Sequence, residues 1–166
     1  MKNLFRASKE RPFHLSVGAV VMDEAGLILC HYFDELPEFG ARDFVILMRE
    51  TMEMGESVEE TLARGLMEEF GATARVEAFL GSLTCDRLHG GFEWQKTTLY
   101  FLCRLESIDE TRRAAEDEER GSVIRRYEAA ELVELMRAQG RRIGRGDLDE
   151  HEVVQRAMMT GGVGVA

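Results

Sequence analysis

Four ionisable side chains stand out by type and spacing: Glu56, then Arg64, then the adjacent pair Glu68 and Glu69. On a helix, residues four apart share a face, so Arg64 and Glu68 lie one turn from each other. Glu56 falls where a loop would lead into that helix, close to its first backbone N–H groups. Two neighbouring carboxylates on a rigid element, with further carboxylates in the approach, form the oxygen-rich cluster that hard divalent cations prefer. Mg²⁺ keeps several waters and recruits substrate phosphates, so such a cluster suits phosphate chemistry. The same spacing also describes a solvated helix laced with ion pairs, each contributing a few tenths of a kcal/mol. Spacing alone leaves both readings open.

The longer string from Met54 to Ala72, MGESVEETLARGLMEEFGA, resembles the Nudix box, G-x5-E-x7-R-E-U-x-E-E-x-G-U, where U is a bulky aliphatic residue. Glu56, the seven-residue spacer, Arg64, Leu66, Glu68-Glu69 and Gly71 all fall in register. The resemblance implies an α/β fold, a Nudix-type α/β/α sandwich with a mixed β-sheet. It implies a hydrolase in which Mg²⁺, with Mn²⁺ as the alternative, assists attack of water on phosphorus. The substrate class it implies is a small diphosphate-containing molecule of nucleotide type. Glu68 and Glu69 carry over as metal ligands. Arg64 carries over as an orienting cation tied to Glu56, itself a partner of the ligand set rather than a ligand. Similar proteins often add a carboxylate from a remote loop, and the run Glu116-Asp117-Glu118-Glu119 occupies that region, with Glu119 or Glu118 the choice. Many also pair as homodimers.

Two positions depart from the box. Its opening Gly is Glu50, preceded by Arg49, and the Glu expected after the Arg is Gly65. In similar proteins the carboxylate at that second position is a metal ligand or general base. A helix-interior Gly also costs about 1 kcal/mol relative to Ala. If position 65 is simply a lost group, Gly65→Glu is expected to raise turnover, unless Glu50, Glu53 or another carboxylate already serves. The alternative function is a catalytically weak or inactive domain that binds a nucleotide-like ligand as a sensor.

Composition narrows the field further. The 166 residues read as a lead-in over 1–12, one domain over 13–159 and a tail over 160–166. A chain of this length buries about 70% of its unfolded surface, enough for a core without disulfides or structural metal. Twenty-one Lys and Arg against 31 Asp and Glu give a net charge of −10, which repels nucleic-acid polymers and anionic membranes. A bound cation reverses the local field, so small anionic substrates stay in play. Cys30, Cys85 and Cys103 show no paired spacing, and Cys30 and Cys103 sit in apolar runs as core residues do. The first residues hold no apolar signal core and no run reaches membrane-spanning length, so the expected location is the cytoplasm. Trp94 suits a stacking platform or a packing role, and Lys96 a phosphate contact or a solvated charge. His14, His31, His89 and His151 lack ligand spacing and read as structural or surface residues.

The elements that must position these groups follow from periodicity. Leu15–Met22 and Leu27–Phe33 read as a hairpin around Asp23-Glu24-Ala25-Gly26, followed by a loop from Asp34 to Asp43 and a buried strand, Phe44–Met48. The helix Val58–Phe70 places Val58, Leu62, Leu66 and Phe70 on one side and its glutamates on the other. Ser57 with Glu60 forms a capping box, and Gly71 forms the stop. Strands Val76–Leu83 and Thr97–Leu105 flank a polar connection. Residues 109–122 are a charged loop. A helix Ala129–Ala138 turns Leu132, Val133, Leu135 and Met136 inward and stops at Gly140. A last helix covers Asp149–Met159.

Overall fold

A computed structural model of the chain describes residues 3–36, 41–89, 91–114, 121–144 and 149–160. Strand β1 (Phe13–Met22) lies mid-sheet and alternates its side chains between two cores. Val17, Ala19 and Val21 face one layer and Val20 and Met22 the other, as the two-residue period of a strand requires. Six more strands surround it: β2 (Ile28–Leu36), β3 (Ala41–Ile46), β4 (Met48–Thr51), β5 (Ala72–His89), β6 (Phe92–Ile108) and β7 (Val123–Tyr127). The order is β3-β2-β1-β6-β5, with β4 paired to β1 and β7 to β2. β1 and β6 run parallel and the other pairs antiparallel, so the sheet is mixed.

The first core packs Leu62, Leu66 and Phe70 of the box helix against Val17, Ala19, Val21, Leu29 and Met48. The second packs α2 (Ala129–Ile143) and α3 (His151–Thr160) onto Val20, Ile28, Leu47, Tyr100 and Leu102. Helix layers therefore cover both faces of the sheet, the expected α/β sandwich. Cys30 and Cys103 are buried free thiols within it.

Several elements differ from their sequence reading, each for a local reason. The expected strand Phe44–Met48 is buried throughout but breaks at Leu47 between β3 and β4. There the freed Leu47 N–H donates to the wholly buried Glu150, 2.8 Å away, which also accepts from the Tyr100 hydroxyl. The expected loop over 34–43 is partly strand, because β2 runs to Leu36 and β3 begins at Ala41. β5 and β6 extend well past their apolar stretches. Their antiparallel ladder continues through Arg87↔Trp94, where backbone pairing is indifferent to side-chain polarity. β7 comes from a segment too charged to show alternation. α2 continues through Gly140, which packs on Asp149, and stops at Gly144 instead, in the left-handed conformation. Leu135, expected inward, is 39% exposed.

Candidate active site on the box helix

Ser57 opens α1 (Val58–Gly65): its side chain accepts from the Glu60 N–H while Glu60 accepts from the Ser57 N–H. The next five residues, Leu66–Phe70, form a π turn, closed by Gly71 in the left-handed region. A four-residue apolar repeat drifts around a 3.6-residue helix, and a widened turn takes up that drift. Leu62, Leu66 and Phe70 thus stay on one core face. The same turn rotates Glu69 inward, to 4% exposure, so the glutamates do not all share the solvent side.

Arg64 is the hub. Its Nε and Nη2 donate to the two oxygens of Glu56 at 2.7 and 2.9 Å, a bidentate fork. Nη2 also donates to the Thr51 carbonyl at 2.9 Å, tying the helix to the end of β4. Nη1 faces two carboxylates, Glu50 at 3.2 Å and Glu68 at 3.4 Å. Glu56 further accepts from the Thr61 hydroxyl and the Glu53 N–H. These donors, Arg64 foremost, hold its carboxyl down at about 2. With its oxygens so occupied, Glu56 orients Arg64.

Glu68 and Glu69 sit in different surroundings. The Glu68 side chain is 44% exposed and lies along the guanidinium edge. Glu69 is enclosed: Oε2 hydrogen-bonds His31 Nε2 at 2.7 Å, and its carboxylate accepts from the Arg49 N–H. Burial, reinforced by the charge of Glu50, pushes the Glu69 carboxyl up. His31 is itself fully buried, and its Nδ1 meets Ser122 Oγ at 2.8 Å. Arg113 closes the ring, donating to the Glu69 carbonyl at 2.6 Å and to Ser122 Oγ at 2.9 Å. The Ala114 N–H donates to the Glu68 carbonyl at 2.8 Å. Residues 109–114 therefore lie along the end of the box helix. Glu119, the expected third ligand, lies outside the described residues, as do Glu116 and Glu118.

A NUDIX domain model matches residues 12–147. The chain belongs to the NUDIX family. Its fold is similar to a NUDIX hydrolase from Nitrosomonas europaea, at 17% identity over 90% of this chain and 88% of that one, with a TM-score of 0.59. It is also similar to the E. coli ORF135 protein, at 14% identity over 92% and 93% of the two chains and a TM-score of 0.56. A UDP-X diphosphatase matches at 21% identity and a TM-score of 0.50, over 70% of this chain and about half (51%) of that one. No curated protein matches the sequence.

Within this NUDIX site the available donors are carboxylate oxygens, the class Mg²⁺ and Mn²⁺ accept. Among the described residues no group of three or more His, Cys, Asp or Glu is arranged to hold a metal ion. Mg²⁺ is commonly held by one or two carboxylates together with water and substrate phosphate, so the open edge at Glu68 fits it. Among the described residues no helix is long and apolar enough to cross a membrane.

The sequence marks His31 as structural or surface, and it is buried and structural; nothing in the sequence singles out Arg113 or Ser122. A histidine inside the apolar run of β2 was the available signal for the first, whereas Arg113 and Ser122 lie in a charged segment with no periodicity. Trp94 lies near Arg87, 5.3 Å from its ring centroid, and near His14 at 5.5 Å. His14 in turn bonds the Thr51 hydroxyl at 3.1 Å. Burial and nearby cations lower the His14 imidazole to about 4, so it is neutral at physiological pH.

Proposed function

We propose that the protein is a divalent-metal-dependent hydrolase of a diphosphate linkage in a small nucleotide-type substrate. The observation that carries this is the Arg64 hub. One guanidinium, locked by Glu56, whose carboxyl it holds down at about 2, sets Glu68 at an open edge of the box helix. Family membership and a diphosphatase among the proteins sharing the fold support the reaction class.

In the reaction, a water oxygen bonds to phosphorus, the bridging P–O bond breaks, and two phosphate-bearing products leave. A bound Mg²⁺ or Mn²⁺ would neutralise phosphate charge and acidify the attacking water. Glu68, with its exposed side chain, would hold the cation, and Arg64 keeps Glu68 from swinging away. Glu69 is assigned the positioning role, because its carboxylate is committed to His31 and the Arg49 N–H. Glu56 acts only through Arg64.

A second reading, a nucleotide-binding module with little or no turnover, is favoured by Gly65, which brings no carboxylate to the helix. The two are separated by product release from nucleoside triphosphates, sugar nucleotides and dinucleotides with Mg²⁺, Mn²⁺ or EDTA. Metal-dependent turnover of any member is the expected result. Thermal stabilisation by one of these ligands without turnover would establish the binding module instead.

A further inference from the structure

Position 65 lacks a carboxylate, but the space over it is filled. A Cβ built on Gly65 would stand 2.7 Å from Glu50 Cβ, 3.2 Å from Glu50 Cγ and 3.1 Å from Met48 Sδ. The path by which a glutamate at 65 would leave the helix is therefore occupied by the stem of Glu50, arriving from β4. Glu50 is held in place at both ends. Its backbone pairs with Val17 of β1, and its Oε1 accepts from the Thr51 N–H at 2.8 Å. That same oxygen lies 3.2 Å from Arg64 Nη1, the nitrogen that Glu68 approaches at 3.4 Å. The Glu50 and Glu68 carboxylates thus converge on one point at the open edge of the site. A helix glutamate at 65 and a glutamate at 50 cannot both fit unless the strand or the helix shifts.

We propose that Glu50 supplies, from strand β4, the metal-facing carboxylate that box proteins carry on the helix at position 65. The two departures from the box are then one event. Glycine and glutamate have exchanged places across the β4–α1 contact, and the carboxylate is retained. Of the two outcomes open for Gly65→Glu, this is the one in which Glu50 already serves and the new side chain brings no gain, because it would collide with the one already there. The inference rests on the metal-dependent reading above and extends it to the opening position of the box, Glu50.

The test measures Mn²⁺ binding to the substrate-free protein, from the loss of the free-ion electron paramagnetic resonance signal. Glu50→Gln keeps the stem over Gly65, so its melting temperature in EDTA stays near that of the parent. Its Mn²⁺ affinity falls about tenfold or more, at least the scale of losing an outer partner of a metal site. The exchange variant Glu50→Gly/Gly65→Glu regains most of that affinity, and Gly65→Glu alone does not exceed the parent. A parent that binds Mn²⁺ and a Glu50→Gln variant that binds it equally would overturn the role of Glu50 and leave the hydrolase reading standing. A parent that binds no Mn²⁺ would overturn both. A folded exchange variant as weak as Glu50→Gln would overturn the exchange of places.

Discussion

Replacing Gly65 by alanine sets helix propensity against packing, and the two predict opposite signs. Gly65 has φ −60° and ψ −43°, ordinary right-handed helix, so its backbone has no need of glycine. Propensity alone then predicts that alanine stabilises by about 1 kcal/mol. The new methyl, however, would meet Glu50 Cβ at 2.7 Å, far inside the ~3.5–4.0 Å optimum for carbon pairs. Glu50 Cβ is fixed to a strand backbone, so no rotamer change moves it away. Overpacking of this kind costs about 1–3 kcal/mol. The net is a loss of about 1 kcal/mol, which lowers the melting temperature of a domain this size by roughly 2–4 °C. The sharper reading comes from the double-mutant cycle. With Glu50→Gly in place, the same alanine should stabilise by about 1 kcal/mol, giving a coupling of about 1–3 kcal/mol between the two sites. Differential scanning calorimetry in EDTA measures all four proteins without involving metal or substrate. If Gly65→Ala raises the melting temperature equally in both backgrounds, Glu50 does not lie over the helix and the reasoning fails.

Two further outcomes test the network around the site. Glu56 falls from an ordinary 4.5 to about 2 on folding, chiefly through Arg64, so its contribution is complete above about pH 4.5 and is lost as pH drops towards 2. Partial exposure of the pair brings the contribution to about 1–2 kcal/mol, and Arg64→Gln should flatten the acid limb of a stability–pH curve by that amount. An unchanged acid limb in that variant would mean the fork does not form. His31→Leu leaves the enclosed Glu69 carboxyl without its side-chain partner, and should cost about 3 kcal/mol in urea denaturation. A loss below about 1 kcal/mol would show that Glu69 is not committed to His31.

What could be read from the chain alone was what is local in it. The capping box at Ser57, the stop at Gly71 and the Glu56–Arg64–Glu68 spacing each depend on residues within a few turns of one another. The order of strands and helices followed from their periods, which show which residues seek a core, whereas the mixed sheet with helices on both faces was implied by the resemblance of the box. Element ends were less legible. The ladders of β5 and β6 run on through polar residues, and β7 carries charge where alternation would have revealed it.

The tertiary structure alone decided how the box is completed. The π turn that sends Glu69 inward depends on the core the helix must meet, and the hand that receives it, His31, comes from a distant strand. Gly65 read in isolation is a gap. Set across from Glu50, it is the clearance that lets a strand side chain reach the same guanidinium as Glu68. Spacing along a chain specifies which residues share a face of one element. It carries no information about which residue stands on the element opposite, because that depends on strand pairing and helix docking summed over the whole core.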